Sequence, residues 1–286
     1  MKNNKVVTIV GLGVVGGSYA IALSKLGYDV YAVDIDEKSL NLAIDCGAIL
    51  DGETTPENFF PISDLIVFAL YPSQIVDYLK NTIHLIKEGT ILTDVSGIKS
   101  HYIKDIDEII KDKVDFVFCH PMAGREKKGF EYASAEVFQN ANFIVVKNDK
   151  NKPENVEEIK AIAKEMGFGS IKELSAKEHD KIISFTSQLP HALAVALINS
   201  DVFENTNDYI GDSYRDLTRI ANINEKLWSE LFLGNKDNLL NAIENFEEQL
   251  DIIKQAVKNS DKKTLEKCFI ESTARKEKLI KKPKVD

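Results

Sequence analysis

At 286 residues the chain exceeds the roughly 100–200 residues of one domain, so two cores with a boundary between them are expected. Hydrophobic residues at 44% and charged residues at 28% are globular values, and no apolar run approaches the roughly 20 residues of a membrane span, which predicts a soluble chain with no membrane contact. A net charge of −9 argues against a general nucleic-acid surface, which needs clustered cations over phosphates.

Met1 to Lys5 lead straight into the strand-like Val6–Val10, with no room for a signal peptide, so a cytoplasmic protein is expected. Short β-branched runs then alternate with amphipathic segments, the pattern of an α/β domain with a Rossmann-type, doubly wound, mostly parallel sheet. Strands are predicted at Val6–Val10, Asp29–Val33, Leu65–Leu70, Thr90–Asp94, Phe116–Cys119, Asn142–Val146 and Ser170–Glu173. Helices are predicted at Val15–Leu26, Ser73–Ile86, Tyr102–Ile110 and Glu154–Glu165. Leu65–Leu70 is apolar on both faces, as a central strand covered by helices must be. Domain one is accordingly residues 1–174.

From Ser175 the strand pattern stops. Ser175 and Glu178 fit a capping box that starts a helix, and Leu189–Leu197 reads as a deeply buried helix with Pro190 in its first turn. A C-terminal all-helical domain, residues 175–286, is expected to pair with its own copy. Cys46, Cys119 and Cys268 are scattered, form no metal-ligand spacing and read as buried thiols of a reducing compartment.

Gly11-Leu12-Gly13-Val14-Val15-Gly16 follows the first strand and opens the first helix. Gly11 permits the tight turn, Gly13 lets the backbone approach a pyrophosphate, and Gly16 lets helix pack on strand. Phosphates then meet unpaired N–H groups and the positive end of a helix dipole. Asp34 ends the second strand 18 residues after Gly16, where a carboxylate accepts from the adenosine ribose and repels a 2′-phosphate, favouring NAD over NADP. Asp36 falls one pleat out of phase.

His120 stands at the carboxyl end of a predicted strand, the edge where open sheets bind ligands. Its imidazole suits a base working near neutral pH. Five segments occur in order: the glycine loop, Asp94-Val95-Ser96-Gly97-Ile98-Lys99, His120-Pro121-Met122-Ala123-Gly124, Leu189-Pro190-His191, and Asp216-Leu217-Thr218-Arg219-Ile220-Ala221. Together they resemble the prephenate/arogenate dehydrogenase family over nearly the whole chain.

The resemblance implies oxidative decarboxylation of prephenate to 4-hydroxyphenylpyruvate with NAD, on the route to tyrosine. Aromatisation drives that reaction, so no metal is implied. His120 matches the family's catalytic histidine. His191 matches its second histidine, facing the substrate ring or side chain, and is expected to stay neutral through burial and the dipole of the helix it opens. Arg219 matches the arginine that grips the pyruvyl carboxylate, a task for a planar fork of donors. Asp216 would orient it, and Arg215 is expected in a surface pair with Asp212 or Glu225. Glu126, in the loop after His120, is a candidate to gate the pocket or pair with a cation, beside the plainer reading of a solvated loop acid. Many relatives place a serine where this chain has Gly97, so Ser96 is the candidate for that hydroxyl. Lys99 keeps its family position, to anchor the turn or meet a substrate carboxylate.

Three alternatives stand beside this reading. Arogenate differs from prephenate by an amine in place of a keto group. A β-hydroxyacid dehydrogenase or imine reductase has a similar build but relies on a catalytic lysine. A non-catalytic NAD sensor would bind the cofactor without turnover.

Overall fold

The computed structural model describes residues 5–111, 113–124 and 127–280. The chain runs β1 (Val6–Val10), α1 (Val14–Lys25), β2 (Asp29–Val33), α2 (Glu37–Asp45), β3 (Asp51–Glu53), β4 (Leu65–Phe68), α3 (Pro72–Thr82), β5 (Ile91–Asp94), α4 (Ile103–Ile110), β6 (Asp115–Met122), β7 (Asn142–Lys147), α5 (Pro153–Glu165) and β8 (Ser170–Ser175). Helices α6 (Ala176–Ile183), α7 (Leu189–Asn199), α8 (Asp212–Thr218), α9 (Glu225–Gly234), α10 (Lys236–Lys258) and α11 (Lys262–Ile280) follow.

The strands form one eight-stranded sheet in the order β3-β2-β1-β4-β5-β6-β7-β8. All pairings are parallel except β6 with β7. Strand order reverses between β1 and β4, the switch point beside which a doubly wound sheet opens a crevice. The period-2 alternation of β4 divides its side chains between two layers. Leu65 and Val67 join the core cluster that contains α1 residues such as Ala20 and Leu23, whereas Ile66 and Phe68 join the one that contains Ile75 and Leu79 of α3.

The predicted elements form, with two additions. α2 is capped by Asp36, whose carboxylate accepts from the Lys38 amide, and it leads to the short edge strand β3. β6 runs three residues past its predicted end because, once its pairing with β5 ends at Val117, it continues antiparallel beside β7 through Met122. His120 therefore sits in the extension, opposite Ile144.

The first compact unit ends at Lys236, and the second begins at Asp237. The first takes in α6 to α9 as well as the sheet, and Ile183 and Leu231 belong to the same core cluster as Ile66 and Phe116. In the second, the turn between α10 and α11 is closed by Ser260 at φ 55° and by Asp261, which accepts from the Thr264 amide.

The predicted capping box forms, with Ser175 Oγ accepting from the Glu178 amide and Glu178 accepting from the Ser175 amide. α6 does not stop before Pro190. A π-helical turn, Ser184–Gln188, joins it to α7, and this wider turn absorbs the missing proline donor. The joined helix, Ala176–Asn199, is long and apolar enough by length and composition to cross a membrane, which corrects the expectation that no such segment exists. Its polar residues are engaged within the fold: Asn235 donates to the Asp180 carbonyl and to Gln188, and Gln188 donates to the Leu231 carbonyl. α7 is also less buried than expected, with only Leu189 and Ala194 buried.

Candidate active site

The glycine loop leaves β1 with Gly11 at φ +95°, a conformation L side chains rarely adopt. A Cβ on Gly16 would lie 1.9 Å from the Gly11 carbonyl oxygen, so only glycine lets α1 pack this closely on the loop. A Cβ on Gly13 would meet nothing within 4 Å. Gly13 is the N-cap of α1 and contributes no side-chain cap, so the first-turn N–H groups face open space. Asp34 directly follows β2 beside this loop, its Oδ2 accepting from the Leu12 amide at 2.5 Å and its Oδ1 from the Asp36 amide at 2.8 Å. These residues fit a dinucleotide: bare N–H donors for a pyrophosphate and a carboxylate at the end of the neighbouring strand.

The turn after β5 is pinned from below. Asp94 is fully buried and pairs with the equally buried Lys99 ammonium. The same carboxylate accepts from the Tyr102 hydroxyl at 2.6 Å, the Ser96 amide at 2.9 Å and the Cys119 amide at 3.1 Å. One charge thereby ties β5, its loop, α4 and β6 together. Lys99 does not line the cavity. Of its two expected roles the turn anchor is the one the geometry allows, because an ammonium already paired with Asp94 and sealed from solvent meets no substrate.

His120 projects from β6 into the space beside this turn. Its Nδ1 lies 2.9 Å from His179 Nε2, and His179 Nδ1 lies 2.8 Å from Asp180 Oδ1. Asp180 also accepts from the Lys99 amide at 2.9 Å and the Ser100 amide at 2.8 Å. Burial pushes both imidazoles below their ordinary range; for His120 the neighbouring His179 and Lys99 add to the effect. Burial works against the charge of Asp180, but hydrogen bonds from His179 and Ser100 outweigh it and hold the carboxyl below its ordinary value.

Ser96 is buried and lines the cavity, but its hydroxyl donates to the Ile98 carbonyl at 3.2 Å and is not bonded to His120. The residue beside His120 is Gly97, where an added Cβ would lie 3.8 Å from His120 Cε1. Ser96 thus falls one position away from where a hydroxyl would meet the imidazole.

The facing wall comes from α7 and α9. His191 Nδ1 lies 2.8 Å from the Ser187 carbonyl, and its ring stacks on Trp228 with centroids 3.6 Å apart. Since the π turn precedes α7 without a break, His191 does not open a helix, and the dipole argument made from sequence does not apply to it. Asn224, the N-cap of α9, donates to the Tyr71 hydroxyl at 2.8 Å, and Glu230 accepts from Ser73, so α9 is tied to the start of α3.

One cavity of about 850 Å³ connects these parts, reaching from Gly13–Gly16 past Ser96, Gly97 and His120 to Gln188, His191 and Trp228. Arg219 does not line it. Arg219 is exposed and begins a 3₁₀ turn whose next residue, Ile220, is the one on the wall; on such a turn neighbouring residues point about 120° apart. Arg215 pairs with Asp212 at 2.9 Å on the surface, one of its two expected partners. Glu126 lies outside the described residues. Cys119 is buried, but Cys46 is exposed near the end of α2 and Cys268 is half-buried, which corrects the reading of these two as buried thiols.

His179, Asp180 and Trp228 were not singled out from sequence. The signal for the first two was an imidazole next to an acid immediately after the capping box, read only as the start of a helix. Trp228 carried none, because a lone tryptophan in an amphipathic helix reads as core.

A glycine loop at the switch point of a doubly wound sheet, sharing one cavity with a half-buried imidazole that a second, buried one backs, defines a dinucleotide-binding oxidoreductase. The model for the nucleotide-binding domain of prephenate dehydrogenase matches residues 19–172, and the model for its dimerization domain matches residues 175–271. The chain belongs to the prephenate dehydrogenase family. It is 27% identical to prephenate dehydrogenase of Bacillus subtilis, over 92% of this chain and 73% of that one. It is 29% identical to prephenate dehydrogenase of Lactococcus lactis, over 93% of this chain and 75% of that one. Among solved structures, prephenate dehydrogenase from Aquifex aeolicus in complex with hydroxyphenyl propionate and NAD+ superposes with a TM-score of 0.88 at 28% identity, covering 97% of this chain and 99% of that one.

Proposed function

We propose that the chain oxidatively decarboxylates prephenate to 4-hydroxyphenylpyruvate with NAD, supplying tyrosine synthesis in the cytoplasm. The observation that carries this reading is the single cavity joining the bare N-terminus of α1 to His120. NAD, when bound, supplies the hydride acceptor, and Gly11, Leu12, Gly13, Val14, Val15, Gly16 and Asp34 would hold it. His120 takes the ring hydroxyl proton. His191, backed by Trp228, bounds the ring from the opposite wall. We assign the grip on the side-chain carboxylate to Arg219, exposed one residue before the lining Ile220, whose long stem turns inward when a dianion enters.

The lining favours prephenate over arogenate. Among the described lining residues there are two lysines, Lys127 and Lys128, and no aspartate or glutamate. Among those described residues a substrate amine would find no counter-ion, whereas the keto group in its place needs none. The active form we propose is a homodimer, engaging neither nucleic acid nor membrane. It would cover apolar side chains such as Phe185, Phe203 and Tyr209, which are 64%, 78% and 85% exposed in one chain.

The test follows NADH formation with prephenate and with arogenate, each with NAD and NADP. Prephenate with NAD is expected to give the highest kcat/KM. Turnover of arogenate alone would overturn the substrate assignment, and no turnover of either would overturn the activity.

A further inference from the structure

The catalytic proposal leaves two buried groups unused, His179 and Asp180, and they stand in line behind His120. We propose that they form a relay that fixes the His120 tautomer and takes up the proton His120 removes from substrate; this rests on the dehydrogenase reading above. The assignment follows from donor counting. Asp180 already accepts the Lys99 and Ser100 amides, and an ionised carboxylate only accepts, so His179 Nδ1 carries a proton. A neutral imidazole holds one proton, which leaves His179 Nε2 as an acceptor. His120 Nδ1, 2.9 Å away, must then donate. His120 Nε2 keeps its lone pair for the cavity. The ring is set as a base before any substrate arrives.

In the reaction step the substrate O–H bond breaks, its electron pair stays on oxygen, and an N–H bond forms at His120 Nε2. The Nδ1–H bond of His120 breaks as one forms at His179 Nε2. The resulting His179 imidazolium lies 2.8 Å from the Asp180 carboxylate. The positive charge is thus held behind the cavity lining, and the proton returns through His120 to water once product leaves. The charged groups facing His179 are Asp180 on its own helix, Asp94 and Lys99 from the turn after β5, and His120 from β6. Asp180 also fixes that turn through the Lys99 and Ser100 amides, so one carboxylate sets both the base and the loop beside it.

His179→Gln keeps an acceptor for His120 but cannot take a proton. We expect kcat to fall by about a hundredfold or more, with KM for NAD unchanged. Asp180→Asn removes the stabilising charge, and the acid limb of kcat/KM should move to lower pH. A His179→Gln enzyme with kcat within twofold of the parent and an unmoved acid limb would overturn the relay. Should either variant fail to fold, long-range proton–nitrogen NMR of the unsubstituted protein, labelled at histidine, still decides. His120 and His179 should both be protonated at Nδ1, and a His120 protonated at Nε2 refutes the proposal. The NMR result does not depend on turnover, so loss of the relay and loss of the assigned activity remain separate outcomes.

Discussion

The imidazole of His191 lies on the indole of Trp228, centroids 3.6 Å apart and planes 29° from parallel. Trp228 also meets Phe232 edge-on at 5.7 Å, so the ring that backs His191 is itself held from behind. Stacking of this kind contributes on the order of 1 kcal/mol beyond burial, and here it fixes the ring plane of a cavity wall. Trp228 is the only tryptophan in the chain, so its emission reports this wall alone. Hydroxyphenyl propionate should change that emission saturably. Trp228→Leu should raise KM for prephenate about tenfold while leaving KM for NAD within twofold. A saturable effect of NAD on emission with none of hydroxyphenyl propionate would place the aromatic substrate elsewhere.

Gly13 and Gly16 should separate by what each costs. A Cβ at Gly16 would overlap the Gly11 carbonyl, whereas one at Gly13 meets no protein atom. Gly16→Ala is expected to lower the melting temperature. Gly13→Ala should leave it within a degree or two but raise KM for NAD at least tenfold, because the methyl stands where a pyrophosphate would approach. Equal effects of the two alanines on melting would remove this distinction.

Lys99 tests the pin beneath the turn after β5. Lys99→Met leaves Asp94 charged and buried with its ammonium gone, a change that typically costs about 3–5 kcal/mol. Urea unfolding should show that loss of stability. If the residue instead gripped substrate, Lys99→Met would raise KM and leave stability intact.

Much of this organisation was legible in the residues, and the failures have physical causes. The glycine loop declared itself because Gly11 and Gly16 have no alternatives in backbone space, and the Ser175–Glu178 box because its two hydrogen bonds are local. α2 and β3 were missed because one is a short helix and the other a three-residue edge strand, each offering too few apolar residues to show a period. His179 and Asp180 were missed because their partners lie 59 and 80 or more residues away in sequence. The sequence could not tell which residue of the Arg219–Ala221 turn reaches the wall, because that depends on the turn geometry that gives it to Ile220.

Arg219 can be tested by charge and shape separately. Arg219→Gln should raise KM for prephenate by about a hundredfold, the loss of a charge-assisted pair. Arg219→Lys should recover only part of this, because a point charge does not replace a planar fork. Steady-state kinetics with both variants check the assignment, and an unchanged KM in Arg219→Gln would transfer the carboxylate to Lys127 or Lys128 on the cavity wall.

The imidazole pair makes the fold sensitive to acid. Burial holds His120 and His179 below 6.5 in the folded chain, while the unfolded chain titrates near about 6.5. As pH falls through that value the unfolded state takes up protons that the folded state does not. Stability is then fully present above about 6.5 and declines below it, each group steepening the loss by at most about 1.4 kcal/mol per pH unit. Asp180, held below 3.8, acts in the same direction only at still lower pH. Urea midpoints taken between about pH 8 and pH 5 should be level in the upper half of that range and fall in the lower half. His179→Gln should flatten the fall. A parent protein whose midpoint stayed constant down to about pH 5 would mean that the two rings are not held neutral, and His120 would then reach substrate already protonated.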